Sequence, residues 1–211
     1  MSQLPPPSLP VVAARSPSES AHREIAERLV DGRNVVGQVA VSPDGQHVAF
    51  VVATTNLAKN TTITRIWIDD SPLTAGEHDA TPTGSPDGRF LAFPSRRGET
   101  KGDSTLHVLP VDAAGEIRTL CTMPDGLGDL AWSPDGRLLA FTSRTRDERY
   151  TAESPAWQSP RKVERLFSRL NGQDWVFDRP SHVYVIASDG TGTLRTLTPG
   201  EFQHDGISWR R

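Results

Sequence analysis

The residues of this sequence that could carry chemistry are two Gly-x-Ser steps, six histidines and one cysteine. Residues 102–104 and 206–208 begin the G-x-S-x-G pattern, which holds a nucleophilic serine on a turn between a strand and a helix. Leu106 and Arg210 stand where that pattern needs its last glycine, and neither segment precedes a helical pattern. The sequence therefore predicts no catalytic residue, and no enzyme activity for this chain alone.

The histidines and the cysteine do not predict a metal site. None of the histidines forms the HxH or HExxH spacing that brings two imidazoles to one metal. His78-Asp79 and His204-Asp205 precede first strands of the repeat described below, and we interpret them as polar loop residues or turn caps. The single Cys121 excludes an internal disulfide and is expected to pack as a small side chain. Since the sequence also has no phosphate-binding glycine loop, we predict neither a metal nor a cofactor.

Composition narrows the classes of partner. The 211 residues carry a formal net charge of −3, which gives no attraction toward nucleic acid or an anionic membrane surface. No apolar run is long enough to span a membrane, and the first residues lack a basic signal region, so we expect a cytoplasmic protein. The 17 glycines and 17 prolines favour short strands joined by tight turns over a helix bundle.

A repeated tetrapeptide, SPDG, organises the chain. In each copy, alanine and phenylalanine follow the serine by seven and eight residues. Proline presets φ at the second turn position, aspartate favours the third, and glycine adopts the positive φ that returns the chain into the next strand. We assign a structural role to the residues of the three turns: Ser42, Pro43, Asp44, Gly45, Ser85, Pro86, Asp87, Gly88, Ser133, Pro134, Asp135 and Gly136.

Apolar segments recur around each turn and give about four short strands per unit. This strand count, in units of about 45 residues, is typical of a β-propeller blade. We therefore predict an all-β fold: a partial β-propeller of about three four-stranded blades, the start of a fourth, and a short N-terminal helix. Propellers close with typically 4–8 blades, so the repeat also predicts that this chain is part of something larger.

The predicted organisation has three parts. Residues 1–20 are expected to be a disordered Pro/Ser-rich arm, 21–32 a short helix ended by Asp31-Gly32, and 33–211 the partial propeller. The blades are predicted at about 35–80, 81–127 and 128–200, with 201–211 starting the next. Residues 144–180 are a charged insertion in the third blade, either a solvated excursion or a contact surface. It contains a predicted hairpin of residues 166–170 and 175–177.

The repeat resembles that of TolB-like proteins and of the prolyl oligopeptidase family of serine peptidases. Residues 163–209 are similar to the acylaminoacyl-peptidase and dipeptidyl-aminopeptidase branch, which has a D-R-P segment, a D-G-x-G turn and an R-x-L-T strand. These motifs lie here at 178–180, 189–192 and 195–198. The sequence departs from the family pattern at Val41 and Gly84, which replace the tryptophan before SPDG. It also departs at Pro94, which predicts a sheet edge or bulge.

The resemblance implies a role without catalysis. Members of the family join an N-terminal propeller to an α/β-hydrolase domain that carries serine, aspartate and histidine, and the propeller admits peptides but not folded proteins. This chain would then gate and dock a hydrolase domain that its own sequence does not contain. The implied partner is that hydrolase domain, or a second propeller copy that closes the ring. The alternative is a stand-alone TolB-like protein-binding module.

Overall fold

The computed structural model describes residues 17–96, 103–111, 116–144, 159–160, 162–163, 169–170, 174–175 and 179–210. These residues form one helix, three four-stranded antiparallel sheets and a two-stranded hairpin. Each four-stranded sheet contains one SPDG turn between its first two strands, so each is one blade of the repeat. The predicted fold class, a partial β-propeller with a short N-terminal helix, is confirmed.

The three blades share one meander order, in which each strand pairs with the next along the blade. Blade 1 contains β1 (Asn34–Val41), β2 (Val48–Asn56), β3 (Thr61–Ile68) and β4 (Ser71–Pro72). Blade 2 contains β5 (Thr83–Gly84), β6 (Phe90–Ser95), β7 (Ser104–Pro110) and β8 (Arg118–Met123). Blade 3 contains β9 (Leu130–Trp132), β10 (Leu138–Arg144), β13 (Ser181–Ala187) and β14 (Arg195–Thr196).

The helix α1 (Pro17–Val30) precedes blade 1 and begins before the predicted start at residue 21. Proline at the first helical position loses no hydrogen bond, because the first N–H groups of a helix have no partner inside it, and its φ already suits the helix. The helix ends at Val30, two residues before the predicted bound at 32, and Gly32 follows it at φ +70°. The rest of the predicted arm, residues 1–16, lies outside the described residues.

The hydrophobic core lies in the seams between blades rather than in one central cluster. Alternate side chains of β6 point to opposite faces of the sheet, as the strand period requires. Leu91 and Phe93 pack against Ala49 and Val51 of blade 1 in one buried cluster, whereas Ala92 joins the second cluster, between blades 2 and 3. Blade 2 is therefore covered on both faces, which explains why most of β6 is buried.

Pro94 lies in an inner strand, and the register of β6 with β7 runs unbroken through the pair Pro94–Leu106. On the side away from β7, the register shifts by one residue between the pair Thr83–Ala92 and the bridge Asp79–Ser95, so the predicted irregularity lies opposite Pro94, in the segment that enters β5. The carbonyl of Pro94 accepts a hydrogen bond from the N–H of Ala80, on the side away from β7. The missing N–H lies on the same side, toward Ala80 rather than toward β7, so the register of β6 with β7 is kept.

The insertion is described only in part. Its hairpin is present as β11 (Arg169–Leu170) and β12 (Asp174–Trp175), with Leu170 opposite Asp174. The predicted primed turn on Asn171-Gly172 lies outside the described residues. Most other residues from 145 to 178 lie outside the described part of the chain. The one helix in the described part is too short to cross a membrane.

Candidate functional site

The three SPDG turns adopt the same hydrogen-bonded geometry. In every copy, the N–H of the turn glycine donates to the carbonyl of the turn serine at 2.9 Å. The turn glycines have φ values of +71° to +73°. The serine hydroxyl donates to the aspartate carboxylate at 2.5–2.6 Å and accepts the backbone N–H five residues later at 2.9 Å. Serine, aspartate and glycine thus close the turn, and the serine oxygens are engaged rather than available for catalysis.

This geometry lowers the pKa of each turn aspartate. The hydroxyl of the turn serine is the largest cause for Asp44, Asp87 and Asp135, and the backbone N–H two residues later also favours the ionised form. A carboxyl group whose pKa is lower in the folded state binds more protons when the chain unfolds. Its contribution to stability is therefore present above its unfolded pKa of about 4 and is lost as the pH falls through its folded value.

We expect the triple replacement of Asp44, Asp87 and Asp135 by asparagine to reduce the loss of folding stability that occurs when the pH is lowered. Asparagine keeps the acceptor oxygen but has no titrating proton in this range. The melting temperature of the wild-type chain should fall more steeply between about pH 5 and pH 2 than that of the variant, as followed by far-UV circular dichroism.

A matched control replaces three exposed carboxylates outside the turns, Asp70, Glu77 and Asp205, with their amides. It changes the net charge equally but leaves the turns intact. If both triple variants follow the same pH profile, the turn hydrogen bonds do not cause the acid sensitivity.

Two tryptophans connect successive blades through the same contact. The indole N–H of Trp132, in β9, donates to the carbonyl of Thr83 in blade 2 at 2.9 Å. The indole N–H of Trp209 donates to the carbonyl of Ala131 in blade 3 at 3.2 Å. Thr83 and Ala131 both stand two residues before an SPDG serine. Trp209 therefore makes the contact of a first-strand tryptophan, as expected for the start of a fourth blade, although residues 202–210 form no paired strand.

Arg179, of the D-R-P segment, contacts blade 2 at the described end of the insertion. The guanidinium of Arg179 lies 3.6 Å from the carboxylate of Asp125, which follows β8, and both side chains are largely buried. The carbonyl of Arg179 also accepts a hydrogen bond from the Arg144 side chain at 3.1 Å. The sequence marks Arg179 only through a family motif, and no repeat or spacing signal points to Asp125 as its partner.

Apolar side chains remain exposed on α1 and β1. We call Ile25, Leu29 and Val30 the α1 face, and Leu29 is 73% exposed. Four valines of β1 are also exposed: Val35, Val36, Val39 and Val41. Apolar side chains at helical spacing usually mark the side of a helix that packs against another surface. The α1 face and β1 are therefore the strongest candidates for a contact surface among the described residues.

Among the described residues, those with possible chemistry do not form one catalytic cluster, although His182 and His204 lie side by side with ring centroids 6.5 Å apart. Ser104 is buried in β7, whereas Ser208 lies in the exposed C-terminal segment. Asp79 is fully buried and accepts a hydrogen bond from the Ser95 hydroxyl at 2.5 Å, so it anchors the entry to blade 2. Burial raises the pKa of the Cys121 thiol to about 11, which disfavours the reactive thiolate. Among the described residues, no three His, Cys, Asp or Glu side chains could hold a metal ion together.

Comparison with known proteins points to peptidases. The uncharacterized peptidase YuxL of Bacillus subtilis (strain 168) is 29% identical over 195 residues, covering 84% of this chain and 29% of that protein. The acylaminoacyl peptidase of Pyrococcus horikoshii superposes with a TM-score of 0.61 at 19% identity, over 81% of this chain and 27% of that one. AtxE2 isopeptidase superposes with a TM-score of 0.51 at 18% identity, over 77% and 29% of the two chains. No protein-family model matches.

The chain spans less than a third of the length of each of these three proteins. At their low identities the two solved structures establish the fold, and YuxL supplies the likeness in sequence to a peptidase. The resemblance predicted from the SPDG repeats, to the propeller portion of prolyl oligopeptidase-family peptidases, is confirmed.

Proposed function

We propose that this chain is the N-terminal propeller portion of an acylaminoacyl-peptidase-like serine peptidase and has no catalytic activity of its own. The observation that carries the proposal is the run of SPDG blades, which resembles peptidases over most of this chain and over less than a third of their length. In this role the propeller docks a cytoplasmic hydrolase domain and restricts its active site to peptides.

The α1 face supports the docking part of the proposal. Ile25 and Leu29 lie one helical turn apart and therefore project from the same side of α1. The N–H of Gly32 donates to the carbonyl of Thr55 at the end of β2, so the end of the helix is fixed to blade 1 while the α1 face stays exposed. A hydrolase domain that covered this face would bury apolar area, the main favourable term in association.

The most direct test is to read the nucleotide sequence beyond the codon for Arg211. We expect the reading frame to continue through further SPDG blades and to reach a G-x-S-x-G motif. Unrelated sequence or a conserved stop in close relatives would remove the basis of the peptidase proposal and would favour the stand-alone protein-binding module.

In the complete protein encoded by that frame, replacing Ile25 and Leu29 together by glutamate should loosen the docking of the hydrolase domain. We expect several-fold faster cleavage of a long protein substrate such as casein, while turnover of a short chromogenic acyl-peptide changes little. The ratio of the two rates is the measurement. The purified 211-residue chain alone should hydrolyse neither substrate above background.

Phe202→Glu provides a matched control, because Phe202 is also exposed but lies far along the chain, after blade 3. This variant should keep the wild-type ratio of the two rates. A double α1 variant that also keeps the ratio would contradict docking through α1. Turnover by the chain alone that survives repurification and is lost with an active-serine reagent would contradict the absence of catalysis.

A further inference from the structure

The seam between blades 1 and 2 lacks the tryptophan found in the following seams. Trp132 and Trp209 each precede the SPDG position of their unit and donate to a carbonyl of the preceding blade. Gly84 occupies the same position in blade 2, and the equivalent carbonyl in blade 1 belongs to Ala40. If residue 84 were a tryptophan, the repeat predicts that its indole would lie against blade 1, with the N–H directed toward the carbonyl of Ala40.

The SPDG turns of blades 1 and 2 stack much as those of blades 2 and 3 do, although residue 84 carries no side chain. A Cβ atom built on Gly88 would lie 3.5 Å from Cδ of Pro43, and one built on Gly136 would lie 3.8 Å from Cδ of Pro86. Successive SPDG turns therefore stack at nearly the same distance in the seam with the tryptophan and in the seam without it. No atom lies within 4 Å of a Cβ built on Gly84, so the position that carries tryptophan in the next seam is open here.

A cleft remains at this place, and we call it the Gly84 cleft. It encloses about 30 Å³ and is partly open to solvent. Its walls are mainly apolar: Ala40, Ala49, Ile68, Phe90, Leu91 and Val111. The exposed Val41 and His47 also line it, and the His47 ring is held by Asp69 at 2.8 Å.

We propose that the Gly84 cleft binds a free indole ring, or a flat bicyclic aromatic amine of the same shape. The apolar walls take the ring faces, and the ring N–H donates to the carbonyl of Ala40, as the indole of Trp132 does to Thr83. The enclosed volume is smaller than a bicyclic ring, so part of the ring lies in the open mouth beside Val41 and His47. The backbone of Gly84 stands where a substituent on C3 of the ring would be, so ligands with a large C3 group are excluded.

The proposal is tested by titrating the chain with indole and following backbone amide signals by NMR. We expect saturable shifts at residues 40–49 and 84–91. Benzothiophene has the same shape without the N–H, and the lost hydrogen bond should weaken binding by about threefold to tenfold. N-acetyltryptophanamide, which carries its substituent on C3, should produce no shifts in these residues. Absence of indole shifts there, or equal binding of all three compounds, overturns the proposal.

Gly84→Trp supplies the decisive variant. No atom lies within 4 Å of a Cβ built on Gly84 and its φ is not positive, so the backbone accepts a side chain. The attached indole should fill the cleft, raise the melting temperature and abolish the indole shifts. Gly84→Phe, which fills the cleft with a different ring, tests occupancy again if the tryptophan variant does not fold. Gly37→Trp, on exposed β1, is the matched control and should leave indole binding unchanged. Indole binding that persists in the folded Gly84 variants overturns the proposal.

Discussion

Trp132→Ala is expected to destabilise the chain by about 3–5 kcal/mol, the range for removing a large aromatic side chain from a core. Trp132 is 8% exposed and belongs to the buried cluster between blades 2 and 3, where it packs with Leu139, Phe141 and Tyr184. The change leaves a cavity in that seam and removes the only indole donor to Thr83 among the described residues. Urea unfolding followed by far-UV circular dichroism measures the effect as a lower midpoint with the m-value unchanged.

Two control variants separate the contribution of the indole hydrogen bond from that of burial between the blades. Trp132→Phe keeps most of the apolar area but loses the hydrogen bond, and should cost about 1–2 kcal/mol. Trp209→Ala removes the same type of contact from a more exposed place and should also cost less than Trp132→Ala. If the alanine variants of the two tryptophans have equal effects, burial between two complete blades is not what gives Trp132 its importance.

The blades could be predicted because their turns depend on local chemistry. Serine, proline, aspartate and glycine each satisfy one requirement of the turn, and the phenylalanine eight residues after the serine then falls at a constant place in the second strand. The three turns of the structure have the same hydrogen bonds within 0.1 Å. Because all of these hydrogen bonds form within six residues, the same motif produces the same turn in every repeat.

The contacts between blades could not be predicted in the same way. Gly84 and Pro94 are visible in the sequence as departures from the repeat, but the effect of each depends on a neighbour distant in the chain. Pro94 is tolerated because its missing N–H lies on the side away from β7, and the SPDG turns beside the Gly84 cleft stack nearly as they do in the next seam. The pair Asp125–Arg179 likewise joins segments that no periodic pattern relates. Such effects arise from packing between residues that are distant in the chain, and a local sequence pattern does not predict which of these residues meet.

The phenylalanine after each SPDG turn gives the last prediction, because its three copies have different neighbours. Phe141 is fully buried and stacks on Tyr184 with ring centroids 5.6 Å apart, in the seam with blade 2. Phe93 is buried in the seam with blade 1. Each phenylalanine thus packs toward the preceding blade. Phe50 points to the side of blade 1 that no described blade covers, and it is only partly buried.

Phe141→Ala should therefore destabilise the chain by about 3–5 kcal/mol, whereas Phe50→Ala, at the same place in the repeat, should cost about 1 kcal/mol. Equilibrium unfolding in urea compares the two variants directly. The difference measures what a preceding blade contributes, since the residue type and the turn before it are the same in both. Any partner that covers the open face of blade 1, whether further blades or a second copy of the chain, should raise the cost of Phe50→Ala toward that of Phe141→Ala. Equal costs in this chain alone would mean that the phenylalanine stabilises its own blade, and that the seams contribute less than their burial indicates.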